Sequence, residues 1–444
     1  MTKTVPFNDL TRIHNSIEDK IMNKFSKIVK KNSFVLNKEV EEFENMFSKF
    51  SNSNFTIGCA NGTDAIELIL RGLGIGVGDE VIIPTNSYIA TAYAVSRTGA
   101  KPVFVDNDEF YLINTNEVKK KISKKTKAII AVNLYGQKAD LKTLAQISKQ
   151  NSLYLIEDSA QSHGARNSKF SNNYSIGAAY SFYPGKNLGA WGDGGAVTTD
   201  NKKLYEKMKL IRNQGSIEKY IHPEIGFNSR LQPLQGVVLS EKIKKLASWN
   251  KLRNEVADIY FEKLKKIDSI VLPKVRDGNS HVWHLFVIRT KNRDKILNEF
   301  TSHKVQFGIH YPIPIHRQKA YKDHKQFNSK IKNADNYFEK LKNIESITLP
   351  KVRDGNYHVW HLFVIRTKYR NKILNEFTSH KVEFGIHYPI PIHRQKAYKD
   401  HKQFNSKIKN ADSYGGQLLS LPIFPYMKTD EINRVVSVLK SYHI

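Results

Sequence analysis

The strongest chemical signal in the sequence is a lysine in a loop rich in glycine and aromatic residues. Residues 181–189 read Ser-Phe-Tyr-Pro-Gly-Lys-Asn-Leu-Gly, and a second glycine-rich run follows at 192–195. A crowded, weakly polar setting lowers the pKa of a lysine by desolvation, and the deprotonated amine is the nucleophilic form. Lys186 is therefore a candidate nucleophile.

A carboxylate that could act with this lysine follows an apolar run about thirty residues earlier. Asp158 comes directly after residues 153–157, at the end of a predicted strand. Taken alone, such a lysine is usually a solvated loop residue and such an aspartate a helix cap. Together, a lysine for an aldehyde carbon and a carboxylate for a protonated ring nitrogen are the two ends of a pyridoxal phosphate (PLP) site.

Two further segments could complete that site. Gly62 and Thr63 lie where a loop meets a predicted helix, so their N–H groups and the threonine hydroxyl could hold a phosphate. A plain helix cap uses the same residue types. Tyr88 could stack on the pyridine ring, although a core tyrosine at a strand end is the alternative.

Five segments resemble the nucleotide-sugar aminotransferases of the DegT–DnrJ–StrS group. They are residues 60–65, 84–91, 156–165, the lysine loop at 181–195, and 226–231, and they occur in the family's order. The resemblance runs from Pro6 to the C-terminus. It implies the α/β fold type I of PLP enzymes, with a mostly parallel sheet covered by helices in a large domain and a smaller α+β C-terminal domain. It also implies a homodimer with its sites at the subunit interface.

The resemblance also implies roles for single residues. Lys186 binds the cofactor and then moves a proton, Gln161 contacts the cofactor ring, and Ser181 holds the phosphate. Asn228 reaches the phosphate of the neighbouring subunit's cofactor.

Sugar contacts are implied as well, at Tyr183 and at a His-Tyr pair that the sequence contains twice. The pairs are His310–Tyr311 and His387–Tyr388, of which we expect one to be used per site.

That pair is doubled because the C-terminal half contains a tandem repeat. Residues 257–333 align without gaps to 334–410, with eight differences in 77 positions. Solenoids need several shorter repeats, so we interpret the repeat as an internal duplication. Removing one copy leaves 367 residues, an ordinary length for the resembled family. The sequence leaves open which copy takes the family position, and a chimeric arrangement is also conceivable.

Alternating helix and strand patterns predict a large α/β domain over 1–240, which the resemblance implies is the PLP-binding domain, followed by a small domain over 241–444 that contains both copies. Near-continuous apolar runs suit strands buried on both faces. The predicted elements are strands at 80–84, 128–132, 153–156, 281–289 and 306–311, and helices starting after Gly62, over 240–266, over 295–303 and over 430–442.

Composition narrows the functional classes. The formal net charge is +28, but the lysines are interleaved with acidic residues and no nucleic-acid-binding module accompanies them. One cysteine excludes an intrachain disulfide, and the many histidines lack metal-ligand spacing. Without a signal sequence or an apolar span, a cytoplasmic enzyme without metal, membrane or nucleic-acid partners is expected.

The expected activity is transfer of the amine of L-glutamate to a nucleotide-linked keto-deoxysugar. The lysine loop is similar to enzymes that aminate C3, which favours dTDP-3-keto-6-deoxyhexose as substrate and a 3-amino-3,6-dideoxyhexose for surface polysaccharide such as O-antigen as product. A 4-aminotransferase and a pyridoxamine-dependent dehydratase of the same family are alternatives, although the dehydratases replace the lysine with histidine. A catalytically inert, duplicated homologue with a binding or regulatory role is the alternative from another class.

One segment departs from the resembled pattern. Pro233 and Gly236 stand where the family usually has acidic and small helix-forming residues. Glycine inside a helix costs up to about 1 kcal/mol, which leaves the local positioning of Asn228 open.

Overall fold

The computed structural model describes residues 5–168, 174–218, 221–290, 293–311, 313–327, 363–366 and 418–421. The helices in these ranges are α1 (Leu10–His14), α2 (Glu18–Lys31), α3 (Lys38–Ser51), α4 (Gly62–Gly72), α5 (Ala90–Arg97), α6 (Thr115–Lys121), α7 (Leu141–Gln150), α8 (Lys202–Arg212), α9 (Pro233–Leu264) and α10 (Arg293–Ser302). The strands are β1 (Phe55–Cys59), β2 (Glu80–Pro84), β3 (Lys101–Val105), β4 (Thr126–Val132), β5 (Tyr154–Asp158), β6 (Arg166–Asn167), β7 (Gly177–Ser181), β8 (Gly195–Thr199), β9 (Ile270–Val271), β10 (Asn279–Ser280), β11 (Arg289–Thr290), β12 (Phe363–Arg366) and β13 (Leu418–Leu421). Each helix in these ranges is too short or too polar to cross a membrane.

A seven-stranded sheet is formed by strands between residues 55 and 199, in the order β1-β8-β7-β5-β4-β2-β3. Neighbours from β7 to β3 are parallel, whereas β8 runs antiparallel to both β7 and β1. Helices α4, α5 and α8 contribute to one apolar cluster against the sheet, and α6 and α7 contribute to another. The expected mostly parallel sheet covered by helices is confirmed.

The directions of the strands bring their site-bearing ends together. The strands predicted at 80–84, 128–132 and 153–156 are confirmed as β2, β4 and β5, which are almost wholly buried. Since β1, β2, β5 and β7 run the same way, their carboxyl ends share one edge of the sheet, where ligands bind in open α/β folds. The first residue of β8, Gly195, pairs with the last residues of β1 and β7 and lies at that edge too.

Helix α9 begins earlier than predicted, at Pro233, where its first turn tolerates proline. Close packing against α3 explains the glycine that was expected to weaken this helix. A Cβ on Gly236 would lie only 2.8 Å from the backbone oxygen of Glu39 in α3. Residue 240 falls inside α9, and the division into domains at 240/241 stays a prediction.

Two strand predictions for the C-terminal half are wrong. Residues 281–288 form no strand, because backbone bonds from Val282 and Leu285 go to the loop carbonyls of Gly136 and Tyr135. Only short pairs flank the segment, β10 with β6 and β11 with β9. Residues 306–311 also form no strand, and Val305 makes only a single bridge to Val5. The helix predicted at 295–303 is confirmed as α10, and the one predicted at 430–442 lies outside the described residues.

Candidate active site

The carboxyl edge of the sheet collects the predicted site residues from three strands. Asp158 ends β5, Ser181 ends β7, and Gly62 begins α4 directly after β1. Lys186 follows β7 by five residues, in a loop whose Ala190 N–H donates to the Phe182 carbonyl at 2.7 Å. The fold therefore brings together residues that are more than one hundred positions apart in the sequence.

Asp158 is buried and rigidly held. Thr91 Oγ1 donates to its Oδ2 at 2.8 Å, and the N–H of Ala160 donates to Oδ1 at 3.2 Å. Burial raises the pKa of this carboxyl, while these two hydrogen bonds and the charge of Lys186 act in the opposite direction. A cation bound beside Asp158 would stabilise its ionised form.

Lys186 has the lowered pKa that the loop composition predicts. Burial of the amine lowers the pKa to about 8, although the charge of Asp158 acts to raise it. A measurable fraction of the amine is therefore neutral and nucleophilic near neutral pH.

Gly62 and Ser181 form a narrow cradle at the start of α4. Asn61 caps this helix, since its side chain accepts from the N–H of Asp64 at 2.9 Å. Asn61 is therefore the N-cap, and Gly62 and Thr63 lie in the first turn of the helix. Their N–H groups have no acceptor within the helix. A Cβ on Gly62 would lie 2.6 Å from Ser181 Cβ. Glycine therefore lets the start of α4 approach Ser181 closely, and this brings a hydroxyl and two N–H donors together in a set that suits a phosphate.

Gln161 connects this edge to the first copy of the repeat. Its Oε1 accepts from the Tyr135 N–H at 2.8 Å, and its Nε2 donates to the Tyr311 hydroxyl at 2.9 Å. The Tyr311 ring lies 5.9 Å from the Tyr88 ring, centroid to centroid. Burial and the charge of Lys186 lower the pKa of neighbouring His310.

Three other predicted site residues lie at the surface and not in the buried part of the site. Tyr88 and Tyr183 are 59% and 61% exposed, and Asn228 is exposed as well. Such positions are accessible to a substrate or a second subunit. His387 and Tyr388 lie outside the described residues.

Several residues beside Lys186 were not predicted. Asn187 is buried; its Nδ2 donates to the Val282 carbonyl at 2.8 Å, and its Oδ1 lies 3.1 Å from His284 Nδ1. Burial and the charge of Lys186 lower the pKa of His163 to about 3. Thr91 and His163 stand in segments 84–91 and 156–165, which the resemblance flagged as a whole. Asn187 stands in the lysine loop at 181–195, which the resemblance flagged too, but nothing in the sequence marked its contacts with Val282 and His284, because they join distant segments. Among the described residues, no three metal-ligating side chains cluster.

Comparison with known proteins decides the family. The model of the DegT/DnrJ/EryC1/StrS aminotransferase family matches residues 15–341 and 325–440. The chain belongs to this family. It is 44% identical over 72% of its length to a dTDP-3-amino-3,6-dideoxy-alpha-D-galactopyranose transaminase of Aneurinibacillus thermoaerophilus, covering 89% of that protein. It is 39% identical, over 72% of its length and 85% of the relative, to a dTDP-3-amino-3,4,6-trideoxy-alpha-D-glucose transaminase of Streptomyces venezuelae.

Solved structures of this aminotransferase family agree with the fold. DesV of S. venezuelae superposes with a TM-score of 0.62 at 31% identity, covering 99% of both chains. NtdA of Bacillus subtilis, with bound PMP, gives a TM-score of 0.67 at 26% identity and covers 99% of this chain and 85% of its own. The chain is a PLP-dependent aminotransferase of fold type I. The phosphate cradle, Asp158 and Lys186 fit the phosphate, the ring nitrogen and the aldehyde carbon of that cofactor.

Proposed function

We propose that this aminotransferase moves the amine of L-glutamate to a nucleotide-linked 3-keto-6-deoxyhexose, with dTDP-3-keto-6-deoxyhexose as the preferred substrate. The observation that carries the proposal is Lys186, with a pKa lowered to about 8, beside the buried carboxylate of Asp158. The C3 position is supported by the two relatives named above, whose names give 3-amino sugars as their products or substrates. The product would be a dTDP-3-amino-3,6-dideoxyhexose for surface polysaccharide.

The two central residues handle charge and protons. PLP, when bound, accepts the amine of one substrate and passes it to the next, using its ring to withdraw electrons. Asp158 holds a proton on the ring nitrogen by its negative charge. Lys186 Nζ, partly neutral near pH 7, is placed to take a proton from the donor's α-carbon and to return it.

The remaining residues position the groups that react. The N–H groups of Gly62 and Thr63 and the Ser181 hydroxyl hold the phosphate, where the partial positive charge of the α4 N-terminus adds to the attraction. Gln161, which is held by hydrogen bonds with Tyr135 and Tyr311, would contact the cofactor ring. Tyr88, whose ring is exposed and lies beside that of Tyr311, would be the residue to stack on the ring of the cofactor.

The exposed residues support a homodimer. Asn228 reaches the phosphate in the partner's site, and Tyr183 and the His310–Tyr311 pair contact the sugar. Only the sugar ring has to reach Lys186, so contacts between the nucleotide part of the substrate and exposed residues such as Tyr183 are expected.

The proposal is tested by two measurements on the full chain loaded with PLP. Adding L-glutamate should bleach the visible band of the lysine-bound cofactor, and Lys186→Ala should lack that band. Mixing enzyme, 2-oxoglutarate and dTDP-3-amino-3,6-dideoxyhexose should then release glutamate, whereas the 4-amino isomer should not. Release from the 4-amino isomer alone would move the reaction to C4, and loss of sugar oxygen without amine transfer would indicate a dehydratase. A soluble chain that never forms the band would be the inert homologue.

A further inference from the structure

We propose that the first copy of the repeat, residues 257–333, forms the C-terminal wall of the active site, and that the second copy, residues 334–410, is excluded from it. The inference concerns the site of the proposed function, but its first test does not depend on that function. Since the copies differ at only eight of 77 positions, either could in principle make most of the contacts. Four observations favour the first copy.

The first observation is the set of contacts beside the cofactor residues. Tyr311 accepts the hydrogen bond of Gln161, and the carbonyl of His310 accepts that of the Tyr135 hydroxyl. His310 and Tyr311 of the first copy therefore lie close enough to the site to be affected by the charges of Lys186 and Asp158, respectively. A second chain segment cannot occupy the same surface at the same time.

The second observation is that the end of the first copy covers β3, the outer strand of the sheet farthest from β1. Gln326 makes two bonds to the backbone of Phe104 in β3: its Oε1 accepts from the N–H at 3.0 Å and its Nε2 donates to the carbonyl at 2.8 Å. His316 Nδ1 lies 2.6 Å from Thr85 Oγ1, just beyond β2. The first copy is therefore docked at both ends of its length.

The third observation is that one of the eight differences lies at a contact. Ser280 Oγ accepts from the N–H of Arg166 at 3.2 Å and lies 3.3 Å from the Arg166 carbonyl, where the short strands β10 and β6 pair. The second copy has Tyr357 at this position. A phenol hydroxyl at the far end of a ring cannot turn back to bond the neighbouring backbone. The contact with Arg166 therefore favours the first copy.

The fourth observation is chain connectivity. Trp283 Nε1 donates to Asn254 Oδ1 in α9 across 29 positions, whereas the equivalent Trp360 is 77 positions further along the chain. By loop-closure entropy alone, the nearer copy docks about sevenfold more favourably. The second copy has another partner, because its residues Phe363–Arg366 pair antiparallel with Leu418–Leu421.

A cross-link distinguishes the two copies without cofactor or substrate. Arg166 and Ser280 are cross-strand partners, and such pairs bring their Cα atoms within the range that a disulfide spans. We compare R166C with S280C against R166C with Y357C under mild oxidation, with R166C alone as control. Cys59 is buried, and burial raises the pKa of its thiol, so it stays unreactive.

The expected result is a 166–280 disulfide, found by peptide mass mapping, with at least tenfold less 166–357 disulfide. A dominant 166–357 disulfide would overturn the proposal, and similar yields of both would show that the copies exchange, which also overturns it. If neither disulfide forms, the β6–β10 pairing is absent and the assignment fails.

A matched pair of variants tests the same point at the site. His284→Ala removes the side chain beside Asn187, next to Lys186, and should weaken PLP binding about tenfold in an absorption titration. His361→Ala, its equivalent in the second copy, should leave PLP affinity within twofold of the parent. Weakening by the second variant and not the first would overturn the proposal. Absence of PLP binding in the parent chain would instead refute the proposed function, and the cross-link result would still stand.

Discussion

At the scale of single residues, burial acts on the two central groups in opposite directions. It lowers the pKa of Lys186 to about 8 and raises the pKa of Asp158, so both are pushed toward their neutral forms. A cofactor that brings a ring cation to Asp158 and takes up the Lys186 amine removes both penalties. The site is thus poised to bind that cofactor tightly.

Replacing the carboxylate separates binding from chemistry. Asp158→Asn keeps the shape but has one acceptor oxygen in place of two, so it retains only one of the hydrogen bonds accepted from Thr91 and Ala160, and it removes the charge opposite the ring nitrogen. We expect PLP to bind while single-turnover bleaching by L-glutamate slows by about 10²-fold or more, the range for loss of one electrostatic contact. Thr91→Val, which removes only one hydrogen bond to the carboxylate, should cause a smaller loss. Equal rates in Asp158→Asn and the parent would contradict this role.

The lowered pKa of Lys186 predicts a pH profile for the apo protein. Only the neutral amine attacks an aldehyde, so the rate of PLP capture should rise with pH and level off above about 8. An ordinary lysine would continue to gain reactivity toward 10.5. The measurement is stopped-flow absorbance of the lysine-bound cofactor from pH 6 to 10, and a profile still rising at the upper end would refute the shift.

At the scale of elements, α9 holds the lysine loop through backbone contacts. Gln235 accepts from the Trp191 N–H at 2.8 Å and donates to its carbonyl at 3.2 Å. Two turns further, Lys242 Nζ donates to the Gly189 carbonyl at 2.7 Å and lies 3.0 Å from His14 Nε2. Lys242 is buried, and burial lowers its pKa to about 8. One helix face therefore fixes the segment that follows Lys186.

Removing that contact should disturb the loop more than the fold. Lys242→Met keeps the buried aliphatic chain but loses the donor to Gly189, a charge-assisted bond worth about 1.5–3 kcal/mol. We expect PLP capture to slow by about tenfold or more, with a small change in thermal midpoint. Lys244→Met is the matched control, since Lys244 lies on the same helix, pairs with Glu241 and is half exposed. Equal effects of the two variants would refute a role for Lys242 in positioning.

Gly236 offers a test of packing against helix propensity. Gly236→Ala should gain up to about 1 kcal/mol in propensity. However, its new Cβ would lie 2.8 Å from the Glu39 carbonyl, and overpacking of this kind costs about 1–3 kcal/mol. We expect a net decrease in the free energy of unfolding, measured by urea denaturation, whereas Ser248→Ala on the exposed face of α9 should not decrease it. A more stable Gly236→Ala variant would mean that α3 moves away without cost.

These elements also show how far the sequence could lead. Strands β2, β4 and β5 were predictable because each is a continuous apolar run buried on both faces, and Asp158 followed from its place at a strand end. Residues 281–288 were not predictable, since their apolar pattern is that of a strand while their backbone partners lie in the loop at 135–136. Tertiary contacts of this kind, like that of Asn187 with Val282, leave no local periodicity.

At the scale of the whole molecule, the repeat explains part of the unusual charge. The second copy contains 15 basic and 7 acidic residues, so it supplies eight of the 28 excess positive charges. The lysines of the described helices are largely on exposed faces, and several pair with acidic neighbours one turn away. The charge follows the duplication and does not by itself require a nucleic-acid partner.

The repeat also provides a matched pair of deletions. Removing residues 334–410 or residues 257–333 leaves 367 residues in both cases, and the two products differ at only eight positions. We expect the first deletion to bind PLP as tightly as the full chain, because it retains the copy that contacts Gln161 and Asn187.

The second deletion should fold into the same architecture with a lower stability. It places Tyr357 opposite Arg166 and loses the Ser280 hydrogen bonds, which at an exposed position are worth about 1 kcal/mol in total. The comparison uses PLP titration for the site and urea denaturation for the fold. If removing 334–410 abolished PLP binding while removing 257–333 preserved it, the second copy would be the one that serves the site. If both deletions bound PLP far more tightly than the full chain, the two copies would be competing for one surface.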